Sequence, residues 1–245
     1  MSRSRFDAVA TQYDAGRPAY PDEMFETLER LTGFPLASAR VADVGAGTGI
    51  ATRGLMSRGA RVVAVDHGAR MLATLRGRLP DAPVVLADAN ALPFVDHSLD
   101  LVTFAQSWHW VDLDRAPAEV IRVLRPDGAL AVWWNGAQLG VESWHDAHRA
   151  RLQRLGDDAV GTRFETAWSA FSAAFGDRQV VTAHFPWQRR ISKQVVLDEI
   201  ASKSYVAELG AAGAAAFVER EGALLPDGDL TEPFVTRLAV VRMAR

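Results

Sequence analysis

The sequence contains no cysteine among its 245 residues. It therefore has no disulfide, no thiolate nucleophile and no cysteine-based metal site. It also lacks a long apolar run: no stretch approaches the roughly 18 residues of a membrane-spanning helix, and the first residues carry no apolar core of a secretory signal. We therefore expect a cytoplasmic protein with no membrane partner.

An excess of charge of either sign is also missing. Lysine and arginine number 27 against 30 aspartate and glutamate residues, so the formal net charge is −3. This balance argues against a dominant basic surface, and we expect no nucleic-acid partner. The length suits a single α/β domain, working as a monomer or a homodimer.

The chain is organised around a glycine-rich turn between a short apolar strand and a helical pattern, at residues 41–50. The glycines Gly45, Gly47 and Gly49 follow the pattern G-x-G-x-G rather than G-x-G-x-x-G. Glycine is needed where the backbone turns at positive φ or where a ligand approaches it without a Cβ in the way. A strand–turn–helix unit of this kind predicts a nucleotide-like ligand at the switch point of an open α/β sheet.

Two acids refine the nature of that ligand. Asp43 lies two residues before the first glycine, where its carboxylate would repel a pyrophosphate but favour an ammonium or sulfonium group. Asp66 ends the next apolar strand, 21 residues after Gly45, where a ribose-binding acid is expected.

Apolar runs typical of strands alternate with amphipathic runs typical of helices, which predicts βαβ units and a parallel sheet. The predicted strands are residues 41–44, 62–65, 84–87, 99–105, 129–134, 179–191 and 233–243. The predicted helices are residues 22–31, 50–55, 70–79, 114–124, 193–204 and 211–224, with a turn at 125–128. Ligand-binding groups should gather at the carboxyl ends of the strands, where Asp43, Asp66, Asp88 and Gln106 lie.

The run Val41 to Gly49, with Asp66, Asp88 and the segment Leu92-Pro93-Phe94, resembles the class I S-adenosylmethionine-dependent methyltransferases. The resemblance is strongest over residues 38–135. It implies an α/β, Rossmann-like fold: a seven-stranded, mostly parallel sheet with helices on both faces and an added helical lid. It also implies S-adenosylmethionine as the cofactor and a small-molecule acceptor, with a carboxylate or hydroxyl as the expected methylation site.

The same resemblance divides a single domain of residues 1–245 into three parts. Residues 1–35 would form lid helices over the cofactor, and residues 36–136 the cofactor-binding core. Residues 137–245 would supply helices around the acceptor pocket and the last two strands.

By resemblance, individual cofactor contacts can be assigned in the core. Asp66 would accept hydrogen bonds from both ribose hydroxyls, because a carboxylate suits a vicinal diol. Met71 would pack on the adenine face, although a methionine at that helical position is also typical of plain core. Asp88 would accept from the adenine amino group beside the Ala89 backbone, or else only cap the following turn. Gln106 would line the methionine end of the cofactor.

The N-terminal pattern Phe6-Asp7, Tyr13-Asp14, Arg17-Pro18 resembles the family's lid segment. On that resemblance Tyr13 and Arg17 would approach the methionine carboxylate. The alternative is a helix that only caps the sheet, with Arg17 in solvent.

The segment Gln106-Ser107-Trp108-His109-Trp110 matches the Gln-x-x-His-Trp pattern of proteins resembling trans-aconitate methyltransferases. It follows the strand that faces the transferring methyl group in this fold. His109 is therefore the candidate catalytic residue. A neutral imidazole could take the proton of a hydroxyl or amine, or it could only orient a carboxylate that needs no base. A histidine with a purely structural role in the loop is the third possibility.

The resemblance fades beyond residue 136. Helical stripes with Trp144 and His148, and with Phe171 and Phe175, are expected to form core and acceptor pocket. The pair His145 and His148 suggests a metal site, which we disfavour because no matching carboxylate–histidine set accompanies it. Arg189 and Arg190, at a strand end, could pair with an acidic substrate, but we expect them to face water.

Two alternatives to methyl transfer remain on the sequence alone. One is a protein that binds S-adenosylmethionine without transferring its methyl group. The other is an NAD-dependent dehydrogenase, against which Asp43 and the G-x-G-x-G spacing argue.

Overall fold

The computed structural model describes residues 18–157, 169, 171, 173–175, 178–201 and 203–243. Seven strands form one sheet: β1 (Arg40–Val44), β2 (Arg61–Asp66), β3 (Val84–Leu86), β4 (Leu99–Ala105), β5 (Leu124–Ala137), β6 (Val180–Ser192) and β7 (Asp229–Arg242). The helices are α1 (Asp22–Thr32), α2 (Ile50–Met56), α3 (Ala69–Arg78), α4 (Ala116–Val123), α5 (Ser143–Leu152), α6 (Lys193–Ala201), α7 (Ser204–Ala207) and α8 (Gly210–Leu224). A single 3₁₀ turn, Trp108–Trp110, follows β4.

The strand order is β3-β2-β1-β4-β5-β7-β6, and among the described strands β7 alone runs opposite in direction to the other six. The order reverses between β1 and β4, because β2 and β3 lie on one side of β1 and the later strands on the other. A reversal of this kind opens a crevice at the carboxyl ends of the strands. The predicted seven-stranded, mostly parallel α/β fold is thus confirmed.

The central strands are apolar on both faces because helices cover both. Successive residues alternate between two cores: Val41 of β1 packs with Met24 and Phe25 of α1, whereas Ala42 packs with Phe104 and Val120 on the other face. Burial on both faces removes the polar alternation that a half-exposed strand would show. Among the described helices, none combines the length and apolar character that crossing a bilayer requires.

The helices of the C-terminal part have a core of their own. Leu152 of α5, Val196 and Ile200 of α6 and Phe217 of α8 are buried together. The cluster also includes Leu230, at the start of β7. This core fixes α5, α6 and α8 beside the end of the sheet that carries β6 and β7.

Two predictions about local structure were wrong. The turn expected at residues 125–128 lies inside β5, as an irregularity of the ladder: Leu99 pairs with Leu124, and the next partners are Leu101 and Ala129. Asp127 has φ of 67° there, which lets the strand bulge and then resume. The pairing with β4 on either side of this segment keeps it within the strand.

Arg189 does not face water. Its guanidinium forms ion pairs with Glu232 at 2.6 Å and Glu199 at 2.5 Å. The side chain is only 17% exposed, because α6 packs against β6 across it. Arg190, the next residue, is 78% exposed, as predicted for both.

The buried aromatic cluster beneath the 3₁₀ turn is expected to contribute strongly to stability. Trp108 is fully buried and contacts Phe104 edge-on at 4.8 Å and Phe171 at 5.4 Å between ring centroids. We predict that Trp108→Ala lowers the free energy of unfolding by about 3–5 kcal/mol, because the cavity cannot close around so large a ring. Denaturant unfolding measures the change.

Trp110 supplies the matched control two residues along the same turn, since its side chain is 40% exposed. We expect Trp110→Ala to cost about 1 kcal/mol or less. Equal losses for the two variants would contradict the assignment of Trp108 to the core.

Candidate functional site

The glycine turn after β1 has all three glycines at positive φ: 68° at Gly45, 58° at Gly47 and 90° at Gly49. The reason differs from one glycine to the next. A Cβ on Gly45 would lie 2.4 Å from the Ser107 Cβ, so a neighbouring protein loop excludes a side chain there. A Cβ on Gly47 would meet nothing within 4 Å. The open side of the turn, where a ligand can approach the backbone, is therefore at Gly47.

Asp66, at the end of β2, is 7% exposed and supports this turn. Its Oδ2 accepts a hydrogen bond from the Gly47 N–H at 2.8 Å, and its Oδ1 accepts from the Gly68 N–H at 2.7 Å. Each oxygen retains a second lone pair. The carboxylate is thus held beside the open face of the turn with acceptor capacity left for a ligand.

Asp43 is fully buried under the turn and contacts protein hydroxyls. Thr52 of α2 donates to its Oδ2 at 2.6 Å, and Thr103 of β4 donates to its Oδ1 at 2.9 Å. Burial raises the pKa of Asp43 to about 6, although the two threonine hydrogen bonds oppose that rise. These hydrogen bonds join β1 to β4 and α2. The carboxylate therefore lies beneath the glycine turn but is not exposed at its surface.

Asp88 follows β3 and lies next to Asp66, because the Ala87 N–H donates to the Asp66 carbonyl at 3.0 Å. Its Oδ1 accepts from both the backbone N–H and the side-chain amide of Asn90, at 2.9 and 2.8 Å. The capping contact of the alternative role is therefore present, yet it occupies only one carboxylate oxygen, and a contact with adenine stays a prediction. Within the described residues Oδ2 has no hydrogen-bond donor, and neither does the Ala89 N–H have an acceptor.

Met71 lies on α3, just after Asp66 in the chain, and is 7% exposed. This burial agrees with the core alternative weighed for it. A contact with an adenine ring stays a prediction.

Gln106 ends β4 in a left-handed backbone conformation, with φ of 60°. Its N–H donates to the Trp133 carbonyl at 2.9 Å, and its side-chain amide contacts the Asn135 carbonyl at 3.4 Å. A non-glycine residue at positive φ is uncommon and persists only where its surroundings hold it. Here the bend turns the following residues, Ser107 to Trp110, across the end of the sheet.

His109 lies in the middle of the 3₁₀ turn Trp108–Trp110 and is half-buried. Its ring lies 4.7 Å from that of Trp110, centroid to centroid. Because Trp108 is anchored in the core, the backbone of the turn that carries His109 is fixed next to the end of β4.

Several residues whose hydrogen bonds hold the loops of the site were not predicted from the sequence. Ser107 donates to the Val44 carbonyl at 2.7 Å and so joins the β4 loop to the glycine turn. Asn135 donates to the Ala19 carbonyl at 3.2 Å, and its Oδ1 accepts from Thr236. Thr103 offered a usable signal, because it is a polar residue inside an otherwise apolar central strand. The others carry none, since their partners are distant in sequence.

Tyr13 and Arg17, with the predicted helix near Phe6 to Tyr13, lie outside the described residues. Their proposed contacts with a methionine carboxylate stay predictions. Phe164 and Trp168, which precede Phe171 and Phe175 at the same helical spacing, also lie outside the described residues, and their expected part in the core or acceptor pocket stays a prediction.

His145 and His148 are buried in the C-terminal helices. His148 bonds Glu221 of α8 at 2.9 Å, and the Arg151 Nε donates to the other oxygen of Glu221 at 2.8 Å. Burial lowers the pKa of His145 to about 4. Within the described part of the chain, no three His, Asp or Glu side chains come together as a metal site requires.

Taken together, the crevice offers a set of groups that suits a nucleoside carrying a cationic tail. Asp66 has acceptor capacity left, as a ribose diol requires. Asp88 Oδ2 and the Ala89 N–H, an acceptor and a donor, have no partners among the described residues. The open side of Gly47 leaves space against the backbone, and the buried charge of Asp43 favours a cation. These residues fit S-adenosylmethionine.

The raised pKa of Asp43 predicts a pH-dependent stability in the absence of ligand. Since the folded pKa is about 6 against an ordinary value of 3.8, the stabilising contribution is full below pH 3.8 and is lost as pH rises through 6. The loss amounts to about 3 kcal/mol. Asp43→Asn cannot ionise. Between pH 4 and pH 7 the free energy of unfolding of the parent protein should therefore fall by about this amount relative to that of Asp43→Asn. Urea titration of both proteins at each pH measures the difference. Parallel curves for the two proteins would contradict the assignment.

Comparison with known proteins agrees with this site. A family model described as a methyltransferase domain matches residues 42–132, from β1 to β5. An uncharacterised methyltransferase of Mycobacterium bovis is 36% identical over 200 residues, which span 82% of this chain and 76% of that protein. A malonyl-[acyl-carrier protein] O-methyltransferase of Halorhodospira halophila is 39% identical over 168 residues, 66% of this chain and 55% of that protein.

Among solved structures, a candidate type II methyltransferase of Anaeromyxobacter dehalogenans superposes with a TM-score of 0.69. Its sequence identity is 25%, and the match covers 93% of this chain and 98% of that one. The similarity thus extends beyond the cofactor-binding core into the C-terminal strands and helices. With the sequence relatives, it establishes that this chain belongs to the class I S-adenosylmethionine-dependent methyltransferases.

Proposed function

We propose that the protein transfers a methyl group from S-adenosylmethionine to an oxygen atom, of a carboxylate or hydroxyl, on a small molecule. Family membership sets aside the dehydrogenase alternative. The observation that carries the proposal is the placement of His109. His109 lies in the short 3₁₀ turn Trp108–Trp110, three residues after Gln106, and this turn follows β4 at the carboxyl edge of the sheet, next to the reversal of strand order.

For the cofactor, we propose contacts at three points along the crevice. Asp66 would hold the ribose hydroxyls, and Asp88 with the Ala89 N–H would hold the adenine edge, with Met71 against the adenine face. Gly45 and Gly47 would bring backbone to the cofactor. Gln106 would line its methionine end, and Tyr13 and Arg17 would bind the methionine carboxylate.

Asp43 has a different proposed role from a direct hydrogen bond. Its two oxygens are already bonded to Thr52 and Thr103. It would act through its charge, which is little screened in a buried position and favours a sulfonium nearby. The reverse follows by linkage: a bound cation would favour the ionised form of Asp43.

Bound S-adenosylmethionine supplies an electrophilic methyl group on a positively charged sulfur. The residues of the chain then have two tasks: to align the acceptor oxygen with the carbon–sulfur bond, and to receive a proton if the acceptor is a hydroxyl. Alignment supplies much of the acceleration of an in-line displacement. His109 would do both for a hydroxyl and only the first for an ionised carboxylate.

Methylation of oxygen is supported by the name of one relative, the malonyl-[acyl-carrier protein] O-methyltransferase. The support is limited to the class of atom, because this chain spans about half of that protein's length. The identity of the acceptor and the assembly as monomer or homodimer stay predictions. A screen of carboxylates and alcohols with isotope-labelled cofactor tests the proposal, and cofactor binding without any labelled product would favour the non-transferring alternative.

Asp66→Ala should weaken binding of S-adenosylhomocysteine by about 30-fold or more, because two hydrogen bonds to a charged acceptor are lost. Isothermal titration calorimetry measures the affinity. Asp81→Ala is the control, since Asp81 is an exposed acid in the turn before β3. Thermal unfolding checks that Asp66→Ala remains folded without its contacts to Gly47 and Gly68. A folded variant of unchanged affinity would rule out the ribose assignment.

His109→Ala should lower kcat by about 10²–10⁴-fold if the imidazole acts as a general base, while affinity for the cofactor stays nearly constant. His109→Gln separates the two active roles, because glutamine accepts a hydrogen bond but takes no proton near neutral pH. It should fail as a base and retain part of the activity as an orienting group. Turnover at the parent rate in His109→Ala would assign the residue a structural role.

A further inference from the structure

Asn90 lies in the turn after β3 and is 7% exposed, although its side chain is polar. Its side chain reaches two different loops of the site. The amide nitrogen donates to Asp88 Oδ1 at 2.8 Å, and the Asn90 Oδ1 accepts from the Asp112 N–H at 3.0 Å. Asp112 comes just after the 3₁₀ turn that carries His109.

The orientation of this amide is fixed by its partners. The Asp112 backbone N–H can only donate, so the atom facing it must be the oxygen of Asn90. The amide nitrogen therefore faces Asp88, whose ionised carboxylate can only accept. If the amide were flipped, its NH₂ group would face the Asp112 N–H, which is also a donor, and its oxygen would face the Asp88 carboxylate, which is also an acceptor. Asn90 thus has one stable orientation.

This orientation determines how Asp88 is presented. Asp88 itself is exposed, and an exposed aspartate rotates freely unless it is held. The Asn90 N–H and side-chain amide both bond Oδ1. Oδ2 is consequently left without a donor among the described residues, as the Ala89 N–H of the next residue is left without an acceptor.

The turn that carries Asn90 is itself attached to α4. Glu119 accepts a hydrogen bond from the Leu92 N–H at 2.8 Å, and Arg122 donates to the Leu92 and Phe94 carbonyls at 3.0 and 2.8 Å. The backbone after Asn90 is therefore held independently of Asp88. Among the described side chains, that of Asn90 is the one that hydrogen-bonds the Asp88 carboxylate and so joins it to this fixed backbone.

We propose that Asn90 is a positioning residue that makes the site selective for a 6-aminopurine over a 6-oxopurine. The inference rests on the proposed contact between Asp88 and adenine. Adenine presents a donor at its 6-amino group and an acceptor at N1, which complement Asp88 Oδ2 and the Ala89 N–H. Hypoxanthine reverses both, with a carbonyl at position 6 and a hydrogen on N1. The distinction depends on the carboxylate being held in place.

The experiment compares the binding of S-adenosylhomocysteine and S-inosylhomocysteine by isothermal titration calorimetry. Two variants test Asn90. Asn90→Asp keeps an oxygen for the Asp112 N–H but sets a carboxylate against Asp88. Asn90→Ala removes both side-chain contacts without adding charge, and so serves if Asn90→Asp does not fold. Each should reduce the preference for the adenosyl ligand by about tenfold or more.

Val95→Ala is the control from the same loop, since that side chain is 75% exposed; it should keep the parent preference. Asp88→Ala separates the inference from its premise. If Asp88→Ala keeps the preference, the adenine contact itself is wrong and the proposal falls with it. The second outcome is that Asp88→Ala loses the preference but both Asn90 variants keep it, with the affinity for each ligand weakened equally. Asn90 would then only stabilise the loop, and the proposal would be overturned.

Discussion

The close approach of Ser107 to Gly45 is the contact on which the geometry of the site depends. The Ser107 hydroxyl donates to the Val44 carbonyl at 2.7 Å, and no side chain larger than hydrogen fits at Gly45 beside it. Two loops from neighbouring strands thereby lie against each other. One is the glycine turn, which is proposed to bring backbone to the cofactor, and the other carries Gln106 and His109. Their contact would therefore set the distance between the cofactor and the residue proposed to act on the acceptor.

Similar links continue along the carboxyl edge of the sheet. Gly45 donates to the Val65 carbonyl, Gly47 to the Asp66 carboxylate and Ala87 to the Asp66 carbonyl. Each bond joins the end of one strand to the end of the next. The carboxylates near the crevice therefore hold fixed positions before a ligand arrives, and less ordering is needed on binding.

Three carboxylates, of Asp43, Asp66 and Asp88, lie along this edge of the sheet, and each has a different environment. Asp43 is buried and accepts hydrogen bonds from hydroxyl groups. Asp66 is buried and accepts them from backbone N–H groups. Asp88 is exposed, and one of its oxygens accepts hydrogen bonds from Asn90. Asp66 adds to the rise in the pKa of Asp43, although burial is the larger cause. A cationic cofactor relieves this repulsion, so the arrangement favours a sulfonium over an anionic dinucleotide.

The sequence by itself determined the order of strands and helices, the parallel sheet and the acids at the strand ends. These follow from periodicity and from the glycine turn, which act over a few neighbouring residues. Only the tertiary structure decided which partners those acids have, that Arg189 pairs with Glu199 and Glu232, and that residues 125–128 bulge within β5. It also revealed Asn90 and Ser107. The physical reason is that most of these hydrogen bonds and ion pairs join residues between 9 and 63 positions apart in the chain. Their energy depends on packing that no local pattern records.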